Sequence, residues 1–106
     1  MKTFAFNKYG SDLTTRILGE KVRKELLCEI SKSSTEKIAL DFEGVDIVTN
    51  SFADECLAKL LYSMPLNELK AKTTFINVTD SVRRFIAFAF QRRYNFIEKE
   101  KCELAE

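Results

Sequence analysis

The spacing of hydrophobic positions changes along the chain, and these changes predict an alternation of strands and helices. Residues Thr3 to Asn7 alternate polar and apolar side chains, which is typical of a strand. From Leu13 to Ile30 the apolar residues recur every three to four positions, which predicts an amphipathic helix. The apolar run from Lys37 to Phe42 then predicts a central strand that is buried on both faces.

The second half of the chain continues this alternation and predicts an α/β fold. The elements predicted there are an extended run over Val45–Val48, a helix over Ser51–Met64, a connector with room for a helical turn over Leu66–Lys72, a strand over Thr73–Val78 and a helix to about Tyr94. Thr79 or Asp80 is the expected N-cap of the last helix. The order β-α-β-(β)-α-β-α predicts a small mixed β-sheet with helices packed on it.

Length and composition fit one domain, which we assign to residues 1–97, with residues 98–106 as a frayed, charge-rich tail. The chain has 106 residues, of which 45% are hydrophobic and 31% charged, as in globular domains. The net charge of +1 argues against general nucleic-acid binding. No apolar run approaches the ~20 residues that span a bilayer, and no signal peptide is recognised. We therefore expect a cytoplasmic protein that does not contact a membrane.

Several kinds of catalytic site are excluded by residue types that the chain lacks. It contains no histidine, so neither Ser-His nor Cys-His activation of a nucleophile is available. Its three glycines form no phosphate-binding motif, and its three cysteines lack the spacing of a zinc site. An enzyme would have to use carboxylates, lysines or a bare thiol. We therefore expect a protein that is not an enzyme and that binds neither a cofactor nor a metal.

Ser51 stands where the second predicted helix begins, and two interpretations of it are open. In the first, Ser51 caps the helix and Asp54 bonds back to its amide, a capping box that contributes about 1 kcal/mol. In the second, Ser51 is phosphorylated, and the positive end of the helix dipole favours the phosphate. Asp54 and Glu55, placed in the first turn, would repel that phosphate. The residues alone favour the cap.

Acidic residues surround this helix start, at Asp41, Glu43, Asp46, Asp54 and Glu55. If they converged on one point, they could bind a small ligand or a metal, which gives an alternative function. Their regular spacing instead favours a solvated rim of the sheet, with the last two complementing the helix dipole. Such a rim could recruit a basic partner protein.

The last predicted helix carries a wide apolar stripe, formed by Val82, Phe85, Ile86 and Ala89, with Phe90 at its edge. A buried stripe accounts for most of this helix. Phe88 falls off the stripe, beside Arg84 and Arg92, and its exposure would mark a protein interface. A homodimer, or a subunit of a larger assembly, that uses Phe88 is therefore an alternative function.

The segment from Lys37 to Leu61 resembles the small bacterial STAS-like domains of unassigned function, DUF4325. In that group an apolar strand leads into Asp-Phe-x-Gly-Val, and Phe-Ala-Asp-Glu follows a few residues later. The two motifs stand here, at matching spacing, as Asp41-Phe42-Glu43-Gly44-Val45 and Phe52-Ala53-Asp54-Glu55. The resemblance covers about a quarter of the chain closely and the whole chain in element order, and it implies a STAS-like fold.

The wider STAS family is more distantly similar and includes the anti-sigma factor antagonists, in which a partner kinase phosphorylates a serine. Their segment reads Asp-Leu-x-x-Val-x-x-x-Asp-Ser-Ser-Gly-Leu, and its second serine falls on Ser51 of this chain. The flanking positions depart from the family. Thr49 stands where the family has an aspartate, and Phe52 stands where it has a glycine.

This resemblance implies a non-catalytic domain that acts in regulation through protein–protein contact. It implies Ser51 as the candidate phosphorylation switch. The implied partner is a regulatory protein such as a histidine-kinase-like ATPase or a serine kinase. The predicted partner-binding residues lie around Ser51 and on the last helix. They are Thr49, Asn50, Phe52, Asp54, Glu55 and Phe88.

Overall fold

The computed structural model describes residues 1–32 and 35–105, with side chains through residue 103. The strands are Lys2–Ala5 (β1), Asp12–Leu13 (β2), Ile38–Asp41 (β3), Ile47–Val48 (β4) and Thr73–Ile76 (β5). The α-helices are Arg16–Lys32 (α1), Asn50–Cys56 (α2), Leu66–Lys72 (α3) and Asp80–Ala105 (α4), and 3₁₀ helices span Phe6–Tyr9 and Ala58–Tyr62. The predicted alternation of strands and helices is therefore confirmed.

The strands form two small parallel sheets, where a single mixed sheet was predicted. In the first sheet β3 lies between β1 and β5, and Leu40 pairs with Phe4 on one side and Phe75 on the other. In the second sheet β2 pairs with β4. Strand β2 was missed because its two residues precede a helical pattern and were assigned to a turn and a helix start. The α/β class is confirmed.

The hydrophobic core lies between the three-stranded sheet and the helices. Ile38, Ala39 and Leu40 of β3 are all buried, as predicted for a central strand. Phe6 and Phe42 stack in this core with their ring centroids 4.2 Å apart. Helix α1 packs through residues at helical spacing, namely Val22, Leu26 and Ile30.

Several predicted helix bounds differ from the structure, and α1 begins at Arg16 rather than at Leu13. The helix expected over Ser51–Met64 is divided into α2 and the 3₁₀ helix Ala58–Tyr62. The connector Leu66–Lys72 is a full helix, α3. Helix α4 passes the predicted end near Tyr94 and continues to Ala105, so residues 98–105 are helical rather than a frayed tail.

Two features of α4 bear on the predictions, namely its N-cap and its length. Thr79 caps this helix as predicted, because its Oγ1 accepts a hydrogen bond from the Val82 amide at 3.2 Å. Within the described part of the chain, no helix is both long enough and apolar enough to cross a membrane.

Helices α1 and α2 approach each other closely at Gly19. A Cβ added to Gly19 would lie 2.9 Å from the Cβ of Glu55 and 3.3 Å from the backbone nitrogen of Cys56. This close contact brings α1 beside the residues predicted to bind a partner.

Replacement of Gly19 by alanine is expected to destabilise the fold, although alanine favours a helix by about 1 kcal/mol. The added methyl group overpacks the contact with Glu55, and overpacking typically costs about 1–3 kcal/mol. Urea unfolding should show a net loss of up to about 2 kcal/mol. Lys21→Ala, on the exposed side of α1, is the control and should stay within about 0.5 kcal/mol. Increased stability of Gly19→Ala would contradict the close packing.

Candidate functional site

Thr49, and not Ser51, caps helix α2. The Thr49 Oγ1 accepts a hydrogen bond from the Phe52 amide at 3.2 Å and donates one to the Thr14 carbonyl at 2.8 Å. The Thr49 amide donates to the Leu13 carbonyl at 3.1 Å, which continues the pairing of β2 with β4. Because Thr49 is fixed against β2, the helix begins at Asn50 and the predicted capping box of Ser51 with Asp54 is wrong.

Ser51 is the second residue of α2, and its side chain has no structural partner there. The residue is half-buried. Across residues 1–32 and 35–105, no hydrogen bond to its hydroxyl is found. Removal of this hydroxyl should therefore leave the cap intact, and the prediction that Ser51 is a phosphorylation switch stays a prediction.

Asp54 joins three helices through two arginines. Arg93 of α4 donates to its two carboxylate oxygens at 2.9 and 2.6 Å, which is a bidentate arrangement. Arg16 of α1 donates to the same carboxylate at 2.8 Å. Burial acts to raise the pKa of Asp54, but the hydrogen bonds from Arg93 and Arg16 outweigh it and the pKa is lowered. The carboxylate is therefore charged and compensated at neutral pH.

Glu55 is more deeply buried than Asp54 and has three cationic partners. Its side chain accepts hydrogen bonds from Arg23 at 2.8 Å, from Lys59 at 2.9 Å and from Arg16 at 3.3 Å. Arg23 also donates to the Glu55 backbone carbonyl. Burial acts to raise the pKa of Glu55, yet the hydrogen bonds from Arg23 and Lys59 dominate and lower it to about 2. This carboxylate holds α1 against α2.

The predicted acidic rim does not form around the helix start. Asp54 and Glu55 follow the first turn of α2, and the first turn contains no acidic residue. Asp41 lies apart and accepts hydrogen bonds from the Asn77 side chain at 2.9 Å and the Glu43 amide at 3.0 Å. Among the described residues, no three acidic, cysteine or histidine side chains converge as metal ligands. The two acidic residues on α2 are instead each bound by cations from other elements.

Two shallow depressions adjoin where α2 meets α4. The first has a volume of about 420 Å³ and the second about 460 Å³, and Asn50 and Phe88 line both. The first is lined by Arg16, Asn50, Asp54, Phe88, Ala89, Arg92, Arg93 and Phe96, and the second by Asn50, Ser81, Arg84, Phe85 and Phe88. The structure therefore brings Phe88 beside the start of α2. In the sequence analysis, Phe88 and the start of this helix belonged to separate hypotheses.

Phe88 is exposed, and it is accompanied by exposed aromatic residues that were not expected. Its exposed fraction is 50%, and the Arg92 guanidinium lies 5.5 Å from its ring centroid. Phe85 was predicted to be buried but is 41% exposed, whereas Val82, Ile86 and Ala89 of the same helix are buried in the core. Phe96 is 51% exposed and was missed, although its spacing from Phe88 and Arg92 was a usable signal.

The predicted contact residues on α2 are unequally accessible. Asn50 is exposed, and Thr49 and Asp54 are half-buried. Phe52 is fully buried and Glu55 is 8% exposed, so neither can contact a partner directly. Phe52 belongs to the core and Glu55 to the contact between α1 and α2, and both act by positioning the helix.

A separate apolar groove lies between α3, β5 and α4. It has a volume of about 490 Å³, and Leu40, Leu57 and Leu60 form its buried floor. Its described lining includes Lys70 but no carboxylate. The alternative function as a ligand binder built on the acidic residues therefore gains no support from this groove.

Comparison with known proteins gives one family. A family model described as a STAS-like domain of unknown function (DUF4325) matches residues 19–83, which is more than half of the chain. No curated protein matches the chain, and no solved structure matches it. The matched region covers the start of α2 and extends to the first turn of α4.

The stability of the protein should fall in acid because Glu55 must be protonated. Its pKa is lowered from 4.5 to about 2, so its ion pairs stabilise the fold above pH 4.5 and are lost as the pH falls to about 2. Glu55→Gln should remove this part of the pH dependence and cost about 1–3 kcal/mol at neutral pH.

Chemical denaturation between pH 7 and pH 2 measures this dependence. Glu100→Gln, on the exposed surface of α4, is the matched control and should reproduce the wild-type profile. A Glu55→Gln variant with the same acid dependence as the wild type would show that Glu55 is not held by these cations.

Proposed function

The chain belongs to the family of STAS-like domains of unknown function (DUF4325), and from that premise we propose that it is a non-catalytic regulatory domain that binds a partner protein. The proposed contact surface is the start of α2 together with the exposed side of α4. The observation that carries this proposal is the convergence of Asn50 and Asp54 with Phe88 around one depression. These residues were predicted to bind a partner for unrelated reasons, and they lie together.

The chemistry of the side chains supports a role without catalysis. The carboxylates of Asp54 and Glu55 are compensated by cations from neighbouring elements. Cys56 is fully buried, and burial raises the pKa of its thiol, which disfavours the nucleophilic thiolate. These two carboxylates and the Cys56 thiol are thus poorly suited to reaction.

Ser51 is the proposed switch of this surface. It follows Asn50, which lines both depressions, and the cap of α2 does not depend on its hydroxyl. A phosphate at Ser51 would add nearly two negative charges beside the contact surface. It would therefore change the affinity for a partner while the fold stays the same. The proposed partner is a regulatory protein such as a histidine-kinase-like ATPase or a serine kinase, in the bacterial cytoplasm.

Capture of proteins from native-host lysate tests the switch, with wild type, Ser51→Ala and Ser51→Asp as baits. We expect wild type and Ser51→Ala to capture the same partner to the same extent. Ser51→Asp should capture a different amount of it, because only this variant carries a charge at position 51. Mass spectrometry identifies the captured proteins. Ser51→Ala should also leave the unfolding free energy within about 0.5 kcal/mol of wild type, because Thr49 is the cap.

The matched control is Ser63→Asp, which adds the same charge at an exposed serine just past the 3₁₀ helix Ala58–Tyr62. This control should capture the same proteins as the wild type. Identical captured proteins for all four baits would contradict a switch at Ser51.

A further inference from the structure

Helix α4 presents a stripe of exposed aromatic and basic residues along one side. Phe85, Phe88, Arg92 and Phe96 follow one another at intervals of three, four and four residues. Residues at such intervals lie on one face of a helix, and this stripe is about 16 Å long. The three phenylalanines are between 41% and 51% exposed. Large aromatic groups in such an exposed row are characteristic of a binding surface.

The stripe forms one surface with the start of α2. Asn50 and Phe88 separate the two depressions, so a partner lying along α4 would meet both. The phenylalanines offer apolar contacts, and the arginines between them offer charged hydrogen-bond donors. We name this the Phe–Arg surface, and its members are Asn50, Arg84, Phe85, Phe88, Arg92 and Phe96.

The charge of this region is strongly unbalanced. Four arginines and one carboxylate line the two depressions, which gives a formal charge of +3 there against +1 for the whole chain. The one carboxylate, Asp54, is already bound by Arg16 and Arg93. Arg84 and Arg92 form no ion pair with any described residue. Two guanidinium groups are therefore available to a partner.

We propose that the Phe–Arg surface binds an acidic amphipathic helix of the partner protein. Apolar side chains of that helix enter the two depressions on either side of Phe88, and its carboxylates bind Arg84 and Arg92. The proposal rests on the proposed function and adds the chemistry of the partner. Aromatic residues and arginine are enriched at the centres of protein interfaces, where they contribute much of the binding energy.

A helix fits this surface better than an extended strand. Extended peptides bind by pairing with the edge of a sheet, whereas helices bind in grooves through residues at helical spacing. The lining of both depressions comes from α4, the first turns of α2 and Arg16 at the start of α1, with no strand residue among them. The row of Phe85, Phe88 and Phe96 is a ridge beside which a second helix can pack.

Charge also disfavours a second copy of the chain as the occupant. A two-fold contact centred on Phe88 would place Arg84 of one copy opposite Arg92 of the other, because each is four residues from Phe88. Like charges placed opposite each other oppose association. Nucleic acid is disfavoured because the net charge of the chain is only +1 and the Asp54 carboxylate lines one of the two depressions.

The acidic character of the partner gives a direction to the switch at Ser51. Phosphorylation there would add negative charge next to Asn50, beside the surface that the acidic helix occupies. The added charge would repel the carboxylates of the partner and would compete for the arginines. Phosphorylation of Ser51 should therefore release the partner.

Binding of synthetic helices to the full chain tests the proposal. The probe is a stapled peptide of about 18 residues with leucines at helical spacing and glutamates on both flanks. Matched peptides carry glutamine or lysine in place of every glutamate. We expect saturable binding of the glutamate peptide, weakened at least about tenfold by either replacement and weakened by added salt. Amide chemical shifts should change at the Phe–Arg surface.

Protein variants localise the binding. Phe88→Ser and Arg92→Glu should each weaken the glutamate peptide at least about tenfold, because interface centres concentrate binding energy. Phe75→Ser replaces an exposed phenylalanine on β5, and Lys21→Glu reverses an exposed charge on α1. Both controls should bind as the wild type does. Since Phe88 and Arg92 are exposed, all four variants should fold, and unfolding curves verify this.

Four results would overturn the proposal. The first two are that the glutamate peptide does not bind, or that it binds no better than the lysine peptide. The third is that Phe88→Ser binds the glutamate peptide as the wild type does. The fourth is that the chain dimerises with concentration, or binds an oligonucleotide, and that Phe88→Ser abolishes this. If the peptides fail while lysate capture still yields a partner that responds to Ser51→Asp, the proposed function stands and only the acidic helix is wrong. If the peptides bind and Ser51→Asp releases them, both are supported.

Discussion

The arrangement of the helices depends on two adjacent carboxylates, Asp54 and Glu55, and on the cations that hold them. Arg16 contacts both, Arg23 holds Glu55 from α1, and Arg93 holds Asp54 from α4. Partly buried charges are costly unless they are paired and hydrogen-bonded, so each cation must reach its carboxylate for the fold to be stable. This requirement fixes α1 and α4 against α2.

The position of the proposed binding surface follows from that constraint. Because Arg93 is bound to Asp54, the preceding turn of α4 carries Phe88 to the side of Asn50. The same ion pairs neutralise the acidic residues of α2, so the surface beside them is basic rather than acidic. The structure thereby reverses the electrostatic character that the local sequence around Ser51 suggests.

The sequence was sufficient where structure depends on local spacing. The buried strand β3 and the cap of α4 at Thr79 were predicted because each follows from residues close in the chain. The cap at Thr49 was missed because it requires the pairing of β2 with β4, which involves residues 35 positions apart. Likewise, the sequence around Asp54 does not show that its charge is compensated, because Arg16 and Arg93 are distant in the chain. The exposure of Phe85 was missed because it depends on how many residues of α4 the core accommodates, which the helical spacing does not show.

A double-mutant cycle on Asp54 and Arg93 tests the central claim most directly. The unfolding free energies of Asp54→Asn, Arg93→Gln and the double variant give the coupling energy between the two side chains. If this bidentate ion pair holds α4 against α2, the coupling should be about 1–3 kcal/mol. A coupling energy near zero would show that the helices are positioned by other contacts and would contradict the account.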